Sequence, residues 1–434
     1  RLLGGLQSGA RLILQVLLGL NQALHLHLQL VAVADDVGCV LGDCLVLLFC
    51  CCNRLLDLLG GIAVNALGHA HPAWVRALSE QAAALGHISN FFTSPQQIEL
   101  AKKLLELTGA PEGSRVFFAN SGSEANEAAF KLARRQGHEV PGPDGPRTRI
   151  LALEDSFHGR TAGSLAMTAK KAYREPFEPL PSGVEFLAPT LEALEAAVDN
   201  TVSALIVEPV RGEAGVRPLP EGWLRRARQL TREHGALLIV DEVQTGVGRT
   251  GQWFASSAEL SGADAPDAMT LAKGLGGGFP IGAMITFGEH ASGLLGPGQH
   301  GTTFGGNPLA TAVGLATLTT IEDEQILQNV RSVGQHLADG LRAIDGVAEV
   351  RAHGLLIGID LEPIDRSASQ TAALAPAVVA AARRAGFIVN APGPLTLRLA
   401  PPLILSAEQA DELLEALPSI LDAAREAVLS APGA

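Results

Sequence analysis

Leu237-Leu238-Ile239-Val240-Asp241-Glu242-Val243-Gln244-Thr245-Gly246 is an unbroken apolar run that stops on two carboxylates. Four consecutive apolar residues, Leu237–Val240, read as a strand with no solvent face, and a strand apolar on both sides needs cover on both sides. Working outward, short runs of the same kind at Arg115–Phe118, Arg149–Leu153, Ala204–Val207 and Ala268–Leu271 alternate with helical spacing at Asn126–Arg135 and Gly222–His234. Two further helices are predicted upstream, over Pro72–Gly86 and Gln96–Leu107. The alternation predicts an α/β fold, a large mostly parallel sheet with helices on both faces. In such sheets ligands bind beyond the carboxyl ends of the strands. After about Glu324 the pattern changes: helices at Gln325–Ile344 and Ala372–Arg384 flank strands at Leu355–Leu361, Phe387–Val389 and Leu395–Leu399, and Ala407–Leu429 forms a last helix. The expected division is a large domain over 53–324 and a smaller α+β C-terminal domain over 325–434.

The composition suits that plan. With 434 residues, 47% hydrophobic and 18% charged, there is apolar material for a large core and roughly two or three domains of about 100–200 residues. A formal net charge of -13 argues against a nucleic-acid partner. All five cysteines lie before Asn53, so the rest of the chain has no disulfide framework and a cytoplasmic location is expected. The Cys50-Cys51-Cys52 run lacks the spacing of a zinc site, and no metal is expected.

Residues 1–52 differ in character from the rest of the chain. They are leucine-rich and carry five charged side chains, Arg1, Arg11, Asp35, Asp36 and Asp43. A spanning helix needs roughly 20 predominantly apolar residues; Gln15, Asn21, Gln22, His25, His27 and Gln29 interrupt the run, so membrane insertion is not expected. The change near Asn53 reads instead as the end of a mistranslated, frame-shifted or wrongly started stretch, an expectation that sequencing the coding region tests.

Three motifs carry chemistry. Asn120-Ser121-Gly122-Ser123-Glu124-Ala125-Asn126 follows a strand and opens a helix; the free amides there suit an anion such as phosphate, or the serine is simply a cap. Asp241 ends an apolar strand, where a carboxylate is poorly placed for solubility alone. A magnesium role would call for a phosphate-binding loop that is missing, whereas pairing with a protonated ring nitrogen needs only the carboxylate. The third motif is Thr270-Leu271-Ala272-Lys273-Gly274-Leu275-Gly276-Gly277-Gly278. A lysine at such a strand end is either exposed in a glycine-rich loop or desolvated into a nucleophile toward a carbonyl. Lys273 follows Asp241 by 32 positions, room for one crossover, so both groups can face one pocket.

Taken in order, these motifs resemble the class III aminotransferases, the fold-type-I pyridoxal-phosphate group that includes acetylornithine, ornithine and GABA aminotransferases. The resemblance runs from about Leu55 to Ala427. Ser156-Phe157-His158-Gly159-Arg160-Thr161, followed by Pro176-Phe177-Glu178-Pro179-Leu180, is most similar to the acetylornithine branch. The resemblance implies pyridoxal 5'-phosphate held by Lys273 as a Schiff base, with Lys273 also shuttling the proton. It implies that Asp241 keeps the pyridine nitrogen protonated, Val243 and Phe157 cover the ring faces, and Gln244 reaches the ring hydroxyl. Glu242 adjoins these contacts. Gly122 and Ser123 cradle the phosphate, with Thr303 contributed from the neighbouring subunit of a homodimer, and Thr302 touches substrate. Arg160 then grips the carboxylate of an N-acylated donor, because a planar guanidinium matches a carboxylate bidentately. Arg398 binds the α-carboxylate of 2-oxoglutarate, and Glu213 is a switch acid that pairs with Arg398 when the donor is bound; for either arginine the plain alternative is a surface ion pair.

The implied reaction moves the terminal amine of N-acetylornithine to 2-oxoglutarate in arginine biosynthesis, with N-succinyl-diaminopimelate as a further donor. The alternatives are ornithine, GABA or lysine as donor, or a same-fold aminomutase. His69 and His71 read as a helix-entry turn rather than metal ligands, and Tyr173 and the three tryptophans as structural. One departure stands out: members of this family carry an N-terminal arm with a proline-containing turn before the Leu-Asp-Leu-Leu-Gly-Gly segment, and residues 1–52 show no such pattern.

Overall fold

The computed structural model describes residues 55–364 and 371–430; the anomalous stretch 1–52 lies outside them. The strands are β1 (Leu56–Asp57), β2 (Arg115–Ala119), β3 (Arg149–Leu153), β4 (Val184–Leu187), β5 (Val202–Val207), β6 (Val210–Arg211), β7 (Arg217–Pro218), β8 (Leu237–Asp241), β9 (Ala268–Leu271), β10 (Gly282–Thr286), β11 (Val347–His353), β12 (Leu356–Leu361), β13 (Phe387–Ile388) and β14 (Thr396–Leu399). Seven of them form the main sheet in the order β2-β10-β9-β8-β5-β3-β4. Neighbours from β9 to β4 pair in parallel, and β10 alone runs antiparallel to both of its neighbours.

The alternation of side chains along each strand explains why both faces are apolar. Leu151, Leu153, Leu205, Val207, Leu238 and Val240 pack on one face against Trp223, Leu224 and Leu230 of helix Trp223–His234. Ile150, Ala152, Ala204, Ile206, Leu237 and Ile239 pack on the other against Ala128, Ala129, Leu132 and Ala133 of helix Gly122–Glu139. Alanines on that helix let its backbone lie close to the sheet. Burying each of the larger aliphatic side chains contributes on the order of 1.5–3 kcal/mol before entropy is counted.

Toward the C-terminus, β11, β12 and β14 form a three-stranded antiparallel sheet. Helices Ile326–Arg342, Leu374–Arg384 and Ala407–Ser430 share one core with it through residues such as Leu337, Val378, Leu413 and Leu421. β1 pairs in parallel with β13, which ties the start of the described chain to this part of the molecule. The predicted elements are present with ends shifted by a few residues. Unpredicted were the two-residue strands β1, β6 and β7, several helices of seven residues or fewer such as Leu191–Ala197, and, among the longer elements, β4, β10, β11 and the helix Pro308–Asp323. That helix, PLATAVGLATLTTIED, is rich in alanine and threonine and buried on several sides, so it shows no single apolar stripe for a periodicity to detect. Among the described residues no helix is long and apolar enough to cross a membrane.

Candidate active site

The carboxyl ends of β2, β3, β5, β8 and β9 open onto one cavity of about 350 Å³, lined by Gly122, Ser123, Phe157, Glu213, Asp241, Val243, Gln244 and Lys273 among others. Gly122 and Ser123 follow β2, Phe157 follows β3, Asp241, Val243 and Gln244 end or follow β8, and Lys273 follows β9, where a parallel sheet leaves its loops free to converge.

Asp241 is the last residue of β8 and only 3% exposed. Its Oδ2 accepts a hydrogen bond from Asn126 Nδ2 at 2.8 Å and lies 2.7 Å from His158 Nδ1, while Oδ1 accepts from the Val243 amide at 3.0 Å. Burial by itself lowers the pKa of His158, but the hydrogen bond and charge of Asp241, with the charge of Glu208, carry it above the ordinary imidazole value. The pair therefore favours an imidazolium facing a carboxylate. Two buried polar atoms beside it, His158 Nε2 and Asn126 Oδ1, have no partner among the described residues.

Lys273 sits just past β9 with φ of 42°, in the left-handed region, a conformation that costs a non-glycine residue on the order of 1–2 kcal/mol. Its side-chain amine forms no hydrogen bond or ion pair among the described residues. Burial pulls its amine down to about 8, and the Arg398 charge adds to this against the opposing carboxylates of Glu213, Glu208 and Asp241. Glu208 follows β5 at the cavity wall and accepts a hydrogen bond from the Phe157 amide at 2.9 Å. Burial holds its carboxyl up at about 7, with Asp241 adding to the rise and His158, the Phe157 amide and Lys273 opposing it.

Gly122 opens the helix that points at the cavity, and Ser121 caps it by accepting from the Glu124 amide at 3.2 Å. A Cβ at Gly122 would stand 2.8 Å from Val243 Cγ1, so the close approach of these loops requires glycine. Arg398 does not line this cavity but the adjoining one, with Glu213 lining both; 1% exposed, it donates from Nη1 to Glu213 Oε1 at 2.6 Å and to Gln244 Oε1 at 3.3 Å, and from Nη2 to Asn390 Oδ1 at 2.8 Å. Burial alone would raise the pKa of Glu213. The charge and hydrogen bond of Arg398 outweigh that and hold it below the ordinary carboxylate range.

Most residues singled out from the motifs thus meet at one place, and some do not. Glu242, expected beside the cofactor contacts, does not line the cavity. β8 has ended at Asp241, and in the turn that follows the Glu242 side chain is buried away from the cavity, where it accepts from the amide and hydroxyl of Ser256, both at 2.7 Å, and from Thr245 Oγ1. Thr302 reaches the rim, where its Oγ1 accepts from Asn120 Nδ2 at 3.2 Å. Thr303 is exposed and lines no described cavity of its own chain. Arg160 is exposed, with its amide donating to Ser123 Oγ at 3.1 Å. Missed in the sequence were Asn126 and His158, which stand inside motifs already quoted, and Glu208, which directly follows the predicted strand Ala204–Val207. The signal was available in their types: a polar residue one helical turn after Gly122, an imidazole next to Phe157, and an acid ending an apolar strand.

The comparisons with known proteins agree with this geometry. Residues 46–421 match the family model described as aminotransferase class-III. The chain belongs to the class III aminotransferase family. It is 49% identical over 377 residues to the acetylornithine aminotransferase of Streptomyces coelicolor, covering 86% of this chain and 88% of the relative. Among solved structures, it is similar to the N-acetylornithine aminotransferase of Stenotrophomonas maltophilia (TM-score 0.72, 34% identity, 86% of this chain and 92% of that one). It is also similar to an amine transaminase from an uncultivated Pseudomonas species in its PLP-bound form (TM-score 0.75, 31% identity, 87% of this chain and 91% of that one). The molecule is a transaminase, and the family implies pyridoxal phosphate. The residues present fit that group: a buried carboxylate on the cavity floor, an unpaired amine, a helix start opened by Gly122, and a cavity within the usual range for small ligands of about 300–1,000 Å³.

Proposed function

We propose that this chain is an acetylornithine aminotransferase that moves the terminal amino group of N-acetylornithine to 2-oxoglutarate, a step of arginine synthesis in the cytoplasm. The observation that supports the reading is two guanidiniums beside the cavity of Lys273: Arg398, whose charge acts on the Lys273 amine and which is buried and held by Glu213, and Arg160, exposed on the loop after Phe157 with its amide on Ser123 Oγ. Two acidic substrates that take turns in one cavity need two such groups.

When bound, pyridoxal 5'-phosphate supplies an electron-accepting ring to which amines can be joined. Gly122 and Ser123 would hold its phosphate at the helix start, with Thr303 of a second copy adding a contact. Asp241 would hold the proton on the ring nitrogen, its own geometry set by Asn126 and His158. Val243, Phe157 and Gln244 line the same cavity; the first two would shield the ring from water, and Gln244 would offer it a polar contact. Lys273 would hold the cofactor through its amine and would carry the proton for the carbon that loses or gains nitrogen. Arg160 orients the donor by its carboxylate, while Glu213 occupies Arg398; with 2-oxoglutarate bound, Arg398 releases Glu213 and takes the α-carboxylate, and Thr302 borders the substrate. The adjoining cavity of about 820 Å³, whose lining includes Lys170, Lys171 and Arg174, has room for a longer anionic acyl group, and N-succinyl-diaminopimelate is a second donor.

A homodimer is part of the proposal. Phe91, Phe92 and Phe304 are 95%, 64% and 59% exposed, and they cluster by the Thr302–Gly305 loop, to which Asn90 Nδ2 donates at 2.8 and 3.1 Å. An apolar patch at the rim of the site is best covered by another copy.

Turnover of N-acetylornithine against free ornithine, each with 2-oxoglutarate, tests the donor; clear preference for free ornithine overturns the choice. Arg398→Lys keeps the charge and loses the fork. It is expected to raise the KM for 2-oxoglutarate roughly tenfold or more and to leave the half-reaction with N-acetylornithine nearly unchanged, as rapid-mixing of the two half-reactions would show. Because the Lys273 amine lies near 8, it is protonated and inert below that value and neutral above it. Uptake of pyridoxal phosphate by cofactor-free protein is therefore expected to speed up from about pH 7 to about pH 9, with its midpoint near 8; a rate flat across that range would contradict the depressed amine.

A further inference from the structure

Tyr173, the one tyrosine of the chain, stands in the short helix Lys171–Arg174. The sequence suggested a structural residue. The structure places the Arg160 guanidinium carbon 3.5 Å from the centre of its ring, with the Phe157 ring centre 5.6 Å from the same carbon. Tyr173 and Phe157 meet edge to face, 6.4 Å between centroids at 85°. Arg160 makes no ion pair among the described residues, so these aromatic faces are what its side chain lies on.

The backbone explains how residues 13 positions apart come to stack. The Ala169 amide donates to the Ser156 carbonyl at 3.0 Å, Ser156 Oγ donates to the Met167 carbonyl at 3.0 Å, and the His158 amide donates to Thr168 Oγ1 at 2.9 Å. These three clips close the segment 156–169 on itself and set the following turn over Phe157. The Arg160 amide is meanwhile anchored on Ser123 Oγ. The charged tip of a long, otherwise exposed side chain is thus held between a fixed backbone and a fixed ring.

We propose that Tyr173 is a positioning residue for the amino donor: its ring holds the Arg160 guanidinium in the orientation that receives the donor carboxylate, lowering the entropy lost on binding. The proposal rests on the reading of Arg160 as the donor clamp. A cation is attracted to an aromatic face by the ring quadrupole, so only the ring face matters for this, not the hydroxyl.

The experiment compares Tyr173→Leu, Tyr173→Phe and Arg160→Ala in the holoenzyme, measuring KM and kcat for N-acetylornithine and 2-oxoglutarate. Tyr173→Leu is expected to raise the donor KM roughly three- to thirtyfold, with kcat and the 2-oxoglutarate KM changed by less than about twofold because Arg398 serves that acid. Tyr173→Phe is expected to restore the donor KM. Carbon-13 labelling of tyrosine gives a single ring signal, and it should move in Arg160→Ala without any substrate present. If Arg160→Ala leaves the donor KM unchanged, the clamp reading falls and the proposal with it. If Arg160→Ala raises that KM but Tyr173→Leu does not, only the role of Tyr173 is overturned. Equal losses for both substrates, or a failed rescue by phenylalanine, also overturn it.

Discussion

Lys273→Ala is expected to lower transamination by on the order of 10⁴-fold or more, combining the loss of the covalent anchor with that of the proton carrier. The protein should remain folded, since the Lys273 amine makes no hydrogen bond or ion pair among the described residues, and replacing it relieves desolvation of a group already pulled down to about 8. The visible absorption that pyridoxal phosphate gains on joining a protein amine should vanish, while the cofactor still binds weakly through its phosphate. Lys170 and Lys171 stand in the neighbouring cavity, outside the lining of the one that holds Asp241, so neither is placed to substitute. A coloured Lys273→Ala protein with a rate within about tenfold of the parent would falsify the assignment of the reactive amine.

The second large effect is expected at Asp241. Asp241→Asn preserves shape but removes the charge that faces His158, and it places an amide NH₂ or carbonyl where one oxygen now accepts from both Asn126 and His158. Loss of one preorganised electrostatic partner typically costs about 10²–10³ in kcat, and that range is expected here with KM values little changed. Stability should fall as well, by about 3–5 kcal/mol if the buried imidazolium stays charged. The sign with pH comes from His158, whose folded pKa is raised above the ordinary value of 6.5. Its contribution is complete below 6.5 and is lost as pH rises through the folded value. The difference in denaturation midpoint between Asp241→Asn and the parent should therefore narrow toward alkaline pH. A gap that widened there would mean that the neutral imidazole, not the imidazolium, is the form that Asp241 holds.

Much of this was legible in the chain because the relevant signals are local. An apolar run such as Leu237–Val240 states that a strand is buried on both faces, and the helix after Gly122 is announced by its cap and its alanines. Since a parallel sheet gathers ligands at the strand ends, reading which residues end the strands also located Asp241, Lys273 and the Asn120–Asn126 motif. Where local signals were weak, reading failed: Gly282–Thr286 lies just past a glycine run and crosses the sheet antiparallel, and Pro308–Asp323 has no single apolar face. Glu242 shows the opposite error, a residue credited to the site for standing beside Asp241 although its carboxylate is taken up by Ser256 and Thr245 outside the cavity.

The amino-acid sequence by itself determined most of the longer strands and helices and the polar side chains that follow the strands, since each depends on a pattern a few residues long. Only the tertiary structure decided which distant groups meet: His158 and Asn126 on Asp241, Glu213 and Asn390 on Arg398, Tyr173 on Arg160. Those contacts depend on the order of strands in the sheet and on how loops fold over its edge. Both are settled by packing across the whole chain, where a hydrogen bond of 2.6 Å between residues 185 positions apart leaves no trace in either local pattern.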